Sequence, residues 1–309
     1  MKILVTGGAG FIGSNLAEKL AEDHEVTVLD DLYLGSKKNI NGAGVEFVEG
    51  SVMNEELVSK VCKNCDYIFH NAAMSSSPMF KEQSKLGMEV NVMGFMNVMK
   101  AAKDNGTKKV VYASTSSLYS GNPLPYSEIQ PVTAKTFYEA SFRTREIVAQ
   151  TYYFENDVSS IGLRYFSVYG PKEAHKGQYA NNISQFLWDM MKGKPPVIYG
   201  DGSQRRDFTF VNDVVSANIL AMRSKINFGV FNVGTGIGTS FRDLIALINK
   251  LMGTSIEPTY VENPIRNYVQ DTIADLSLVT KSLGYRPQWT LEKGIRFLID
   301  YYNKDHNLP

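Results

Sequence analysis

Thr6-Gly7-Gly8-Ala9-Gly10-Phe11-Ile12-Gly13-Ser14 stands between a short apolar run and a segment of helical periodicity. Its glycines fit G-x-G-x-x-G at Gly8, Gly10 and Gly13, and G-x-x-G-x-x-G at Gly7, Gly10 and Gly13. Residues without side chains let the chain turn tightly, so that a pyrophosphate can approach the free N–H groups of a helix N-terminus. Such a string alone also occurs in structural turns. Here Asp30 closes the next apolar run, and strand, glycine turn, helix and acid together point to a dinucleotide site. Asp30 can accept both ribose hydroxyls of an adenosine and repels a 2′-phosphate, so the expected cofactor is NAD rather than NADP. A second group, Ser114-Thr115-Ser116-Ser117-Leu118-Tyr119-Ser120, follows another apolar run. Hydroxyls at the carboxyl end of a strand, beside a dinucleotide, can meet the alcohol or carbonyl of a substrate. A Ser/Thr-rich turn is the plainer reading of the same run. Further on, Phe137-Tyr138-Glu139-Ala140-Ser141-Phe142 opens a helical pattern. Cys62 and Cys65 form a lone C-x-x-C, which without a second pair cannot complete a zinc site; no metal is expected.

The elements that must position these residues show as an alternation. Ile3 to Thr6, Glu25 to Asp30, Val45 to Val48, Tyr67 to His70 and Lys109 to Ala113 read as strands. Helical patterns at Phe11 to Ala21 and Leu86 to Lys103 lie between them. The strands are continuously apolar, as burial on both faces of a parallel sheet requires, so the expected class is α/β with a doubly wound sheet. The second half is less regular, with a helix near Asn182 to Lys192, a short strand at Phe208 to Val211 and a last helix from about Leu291 to Tyr302. This predicts a smaller domain packed on the first, with a cleft between them.

Composition narrows the partners. At 309 residues the chain has room for about two domains. Lys+Arg and Asp+Glu are both 32, and that balance argues against nucleic acid held by bulk charge. No apolar run approaches the ~18 residues that span a membrane. Met1-Lys2-Ile3-Leu4-Val5 breaks at Thr6-Gly7-Gly8, too early for a signal peptide, so a cytoplasmic location is expected.

With TGGAGFIG, FHNAA (Phe69 to Ala73), Asn91-Val92-Met93-Gly94, the hydroxyl run and Tyr138, the chain resembles an extended short-chain dehydrogenase/reductase. LRYFSVYGP (Leu163 to Pro171), GDGSQRRDF (Gly200 to Phe208), Phe231 to Gly236 and LGYRP (Leu283 to Pro287) carry the resemblance through the second half. Within that superfamily it is most similar to the UDP-sugar 4-epimerases. The resemblance implies a Rossmann-type NAD-binding domain over residues 1–168, with a return segment near 207–233, and a smaller α/β UDP-sugar-binding domain from the remainder of 169–309.

By the same resemblance, Gly7, Gly10, Phe11, Ile12, Gly13, Asp30, Asp31, Ser51 and Val52 hold NAD, and Asn91 and Tyr138 lie by its nicotinamide end. Tyr138 and Thr115 are the implied catalytic pair. Ser76, Ser116, Ser117, Ser167, Ile198, Tyr199, Arg206, Arg266 and Thr272 fall on the substrate side. Among them Arg206 would pair with the diphosphate, and Ile198 and Tyr199 would lie along the uracil. Thr272 takes the position of a sugar gatekeeper, where a small residue leaves room for a 2-acetamido group. An isologous homodimer through the helices beginning near Leu86 and Tyr138 is also implied.

The implied reaction is epimerisation at carbon 4 of a UDP-hexose, UDP-N-acetylglucosamine and its galacto epimer foremost. A 4,6-dehydratase is the alternative within the superfamily, but its pattern has an Asp-Glu pair where Ser116 and Ser117 stand. One departure matters more. The family motif is Tyr-x-x-x-Lys, whose ammonium grips the nicotinamide ribose and lowers the tyrosine pKa, and here that position is Phe142. Arg145 shares the helical face a further turn away, which makes it a poor substitute by spacing. Phe142 thus motivates a second reading, an NAD- and UDP-sugar-binding sensor with little turnover.

Overall fold

A computed structural model describes residues 1–263 and 269–304. In the first half, strands β1 (Lys2–Thr6), β2 (Glu25–Asp30), β3 (Glu46–Glu49), β4 (Tyr67–His70), β5 (Lys109–Thr115) and β6 (Ser160–Tyr165) alternate with helices. The helices are α1 (Phe11–Ala21), α2 (Glu55–Val61), α3 (Ser77–Glu82), α4 (Ser84–Met88), α5 (Gly94–Asp104) and α6 (Phe137–Asn156). The later strands are short: β7 (Val168–Tyr169), β8 (Val197–Tyr199), β9 (Arg205–Asp207), β10 (Thr209–Phe210), β11 (Phe228–Val233), β12 (Gly238–Ser240), β13 (Thr259–Val261) and β14 (Asp271–Thr272). Between and after them run α7 (Asn182–Met191), α8 (Val211–Arg223), α9 (Phe241–Met252), α10 (Ser277–Leu283) and α11 (Leu291–Lys304).

Seven strands form one sheet in the order β11-β6-β5-β4-β1-β2-β3, with every pair parallel. This is the doubly wound Rossmann-type α/β arrangement read from the sequence. Apolar strand residues reach helices on both faces: Val5, Val28 and Ile161 pack with α1 and α8, while Leu4, Leu29 and Ile68 pack with α2 and α5. Strand order reverses between β1 and β4, and that crevice at the carboxyl ends of the strands is where such sheets hold ligands. A separate apolar cluster joins α7, α9 and α11 around Ile183, Leu187, Leu244 and Leu298 beside it.

Besides β6 and β11, which the sequence reading does not contain, three elements differ from it. The helix expected over Leu86 to Lys103 is α4 and α5 joined by a π-helical turn, Glu89–Met93. Within that turn Asn91 bonds the Met74 backbone twice, a tertiary demand that periodicity does not encode. The strand expected at Phe208 to Val211 is only the two-residue β10, Thr209–Phe210, because Val211 already opens α8. Finally, β5 runs on to Thr115, so the hydroxyl run begins on the strand rather than beyond it.

Candidate active site

A cavity of about 770 Å³ follows the carboxyl ends of the strands, from the glycine turn to β14. Gly10 caps α1, and its N–H donates to the Gly7 carbonyl at 3.2 Å. Gly7 has the left-handed φ of +69°, and a Cβ there would stand 2.5 Å from the Ala72 nitrogen. A Cβ on Gly13 would strike the Gly7 carbonyl oxygen. The turn is therefore a cradle that only glycine leaves open, with first-turn N–H groups facing it. At the end of β2, Asp30 accepts from Ala9 N–H at 2.9 Å and Leu32 N–H at 2.8 Å. Burial pushes its carboxyl above the ordinary value, against those two N–H groups, which favour the charged form. Phe11, Ile12, Asp31, Ser51 and Val52 line the same stretch of wall. A cradle that a Cβ would fill, beside an acid with free lone pairs, fits a nicotinamide dinucleotide.

The second region is built by β5 and α6. Thr136 and Glu139 make a reciprocal capping box at the start of α6: Glu139 N–H donates to Thr136 Oγ1 at 3.2 Å and Thr136 N–H to Glu139 Oε2 at 3.1 Å. This fixes the first turn, which carries Tyr138. The Tyr138 hydroxyl donates to Thr115 Oγ1 at 3.3 Å, and Ser117 N–H donates to the same oxygen at 3.2 Å. With both lone pairs of Thr115 engaged, its own hydrogen is left for a third partner in the cavity. Burial raises the Tyr138 phenol above its ordinary value, while the Thr115 hydroxyl and the Arg145 guanidinium pull it down.

On the far side of the cavity Ser116, Ser117, Ser167, Arg206 and Thr272 reach the wall. Arg206 donates to the carbonyls of Val269 at 2.7 Å and Gln270 at 2.9 Å, and Thr272 pairs with it between β14 and β9. Ser167 holds a positive φ of +28°, a region that residues other than glycine and asparagine seldom enter.

Other expected site residues are not brought to the cavity. Asn91 is fully buried beneath it, bonded to Met74 and to Ser141 Oγ. Ser76 caps α3 off the wall, although its neighbours Ser75 and Ser77 line it. Ile198 is buried in the α7–α9–α11 cluster and Tyr199 points to solvent, because β8 pairs with β13 and alternates its faces. Arg266 lies outside the described residues.

Similarity to known proteins agrees with this geometry. Residues 3–234 match the model of the NAD dependent epimerase/dehydratase family. The chain belongs to that family. It is 33% identical over 310 residues to the UDP-glucose 4-epimerase of Mycolicibacterium smegmatis, covering 98% of each chain. It is 30% identical to the UDP-N-acetyl-alpha-D-glucosaminuronate decarboxylase of Bacillus cytotoxicus, covering 99% of both. Its fold matches the UDP-N-acetylglucosamine 4-epimerase of Methanobrevibacter ruminantium M1, solved with UDP-N-acetylmuramic acid, at a TM-score of 0.94 and 29% identity over 98% of each chain. NAD is the cofactor of the family, and the glycine cradle meets its requirements.

Against the epimerase/dehydratase pattern, Phe142 lines the cavity where the motif lysine would stand. Sequence reading also missed what lies behind the hydroxyl run. Ser114 Oγ donates to Glu146 at 2.7 Å, Arg164 grips both Glu146 oxygens at 2.8 Å, and Arg164 donates to the Tyr119 oxygen at 2.6 Å. Burial pushes the Glu146 carboxyl up, but Arg164, with Ser114 and Arg143, more than offsets this and leaves it below the ordinary range. One signal was available: Arg164 interrupts an apolar strand, and a charge so placed requires a buried partner. Cys62 and Cys65 are free buried thiols, raised by burial to about 12 and about 11, which keeps them protonated. Among the described residues no three His, Cys, Asp or Glu side chains gather as metal ligands.

Proposed function

We propose that this chain is a UDP-sugar 4-epimerase that interconverts UDP-N-acetylglucosamine and UDP-N-acetylgalactosamine through a transient 4-keto sugar. The observation that carries the reading is the Tyr138–Thr115 hydrogen bond of 3.3 Å, facing a cavity that runs from the glycine cradle to Arg206 and Thr272. NAD, when bound, supplies a reversible hydride carrier at sugar carbon 4. Gly7, Gly10, Phe11, Ile12, Gly13, Asp30, Asp31, Ser51 and Val52 are the residues that would hold it. Tyr138, as phenolate, accepts the proton of the 4-hydroxyl and later returns it, while Thr115 orients the same oxygen. Ser116 and Ser117 leave no acid–base pair for eliminating water across carbons 5 and 6, which favours epimerase over dehydratase.

Arg206 is the cation for the diphosphate, and the small Thr272 leaves room for the acetamido group, with a hydroxyl to meet its carbonyl. Residues 1–168, with the return near 207–233, form the NAD-binding part, and the rest of 169–309 the UDP-sugar-binding part. The working unit is an isologous homodimer, acting in the cytoplasm. Exposed Met93, Met96, Ile147 and Phe154 on the π turn, α5 and α6 support a partner on that face. No helix among the described residues is long and apolar enough to cross a membrane. Incubation with a panel of UDP-sugars, followed by chromatography of the epimers, tests the reading. Conversion of the acetamido pair supports it, and no conversion of any UDP-hexose at high enzyme concentration refutes it.

A further inference from the structure

Four residues after Tyr138, where the family motif has a cation, the chain carries an aromatic ring. Phe142 packs edge-on against Tyr138, with centroids 5.0 Å apart and planes at 65°. Behind that ring, one turn deeper along α6, Arg145 is fully buried. Its guanidinium carbon lies 4.9 Å from the Phe142 centroid and 5.9 Å from that of Phe95. Nε donates to the Asn91 carbonyl at 2.6 Å and Nη2 to the Ala72 carbonyl at 2.8 Å. Nη1 is buried without a hydrogen-bond partner. Glu146, its neighbour on the helix, is committed to Arg164, and no carboxylate pairs with Arg145 among the described residues.

A dehydrated guanidinium without a counter-ion is an unfavourable way to fill a core, and an apolar side chain of similar volume would stabilise the fold better. The charge calls for another explanation. We propose that Arg145 is the positioning cation of this active site: from behind the face of Phe142 it supplies to Tyr138 the positive charge that the family motif places at position 142. Its planar fork does a second task, tying the cavity-lining Ala72 to the Asn91 turn beneath. Such a cation does not have to touch the phenol. A buried charge acts at longer range, because little water screens it.

The groups facing the phenol are the Thr115 hydroxyl, Arg145 and Glu139, whose carboxylate is occupied by the N–H groups of Lys135 and Thr136. Of the two charges, Arg145 favours the phenolate and Glu139 opposes it. Arg145 in turn faces Tyr138, Tyr112 and His70. His70 is held neutral, first by burial and then by Arg145, so it adds no charge of its own.

This inference rests on Tyr138 being the proton acceptor of the proposed reaction. Its test titrates Tyr138 by tyrosinate absorbance in the substrate-free protein, each variant being read against the same variant carrying Tyr138→Phe. Arg145→Gln keeps a donor for a carbonyl and removes the charge; Arg145→Lys keeps the charge. The expected result is a rise of about 1 pH unit or more in Arg145→Gln, and a change under about 0.3 unit in Arg145→Lys. A folded Arg145→Gln protein that titrates with the wild type overturns the proposal. Should Arg145→Gln not fold, Phe142→Lys is compared alone and combined with Arg145→Gln. Having lost one of two cations, the combined variant is expected to titrate Tyr138 at higher pH than Phe142→Lys alone; equal titration of the two overturns the proposal. Since the titration requires no turnover, a missing shift counts against Arg145, whereas absent epimerisation counts against the proposed function.

Discussion

Tyr138 donates to Thr115 across 3.3 Å, and the proposed reaction requires that phenol to lose its proton so that it can accept the one on the sugar 4-hydroxyl. Tyr138→Phe removes the proton acceptor while leaving the ring packing against Phe80 and Phe142, so the rate is expected to fall by about 10²–10⁴-fold with the melting temperature nearly unchanged. Steady-state assays beside thermal melts check this. Thr272 is the corresponding residue proposed for specificity. Thr272→Tyr overfills the wall beside Arg206, at about 1–3 kcal/mol, and should depress turnover of the acetamido sugars far more than of UDP-glucose. Equal loss on both classes would remove Thr272 from that role. The glycines and Asp30 were legible because their partners lie within one strand–turn–helix unit. Ile198 and Tyr199 were not, since which face each presents depends on β8 pairing with β13, some sixty residues on.

Among the elements, β5, β6 and α6 are tied together by one buried carboxylate. Glu146 on α6 receives Ser114 from β5 and Arg164 from β6, and this bond set fixes the strand end from which Thr115 projects. The folded-state value of Glu146 lies below its ordinary one, so its contribution is present above the usual carboxylate range and is lost as pH falls through the folded value. Melting temperature should accordingly drop as the solution is taken below about pH 4. Glu146→Gln should lower the melting temperature at neutral pH and flatten that acid limb, which melts over a pH series would show. Continuous apolar runs revealed β1 to β5, since burial on two faces favours apolar residues there, whereas β6 and β11, which carry Arg164 and Asn232, left no such run. The π turn at Glu89–Met93 left no such trace, for it answers to Asn91 reaching the Met74 backbone and not to any local pattern.

In the whole molecule, the sheet brings to one crevice residues spread from Gly7 to Thr272, and the ends of that crevice differ in chemistry. The glycine cradle and Asp30 form one end; Arg206 and Thr272 form the other; the Tyr138–Thr115 pair lies on the wall they share. Exposed Met93, Met96, Ile147 and Phe154 lie outside it, and light scattering is expected to give twice the 34.5 kDa of one chain. Ile147→Arg with Phe154→Arg should return it to monomer; a monomeric wild type would contradict the dimer. The reaction proposed for that crevice is epimerisation at carbon 4. Proton NMR of UDP-N-acetylglucosamine incubated with the protein and NAD in deuterated water tests it most directly. The expected result is growth of UDP-N-acetylgalactosamine resonances to a constant ratio, with hydrogen and not deuterium at carbon 4, since the hydride that leaves is the one that returns. An unchanged spectrum, deuterium at carbon 4, or loss of water from the sugar would contradict the account.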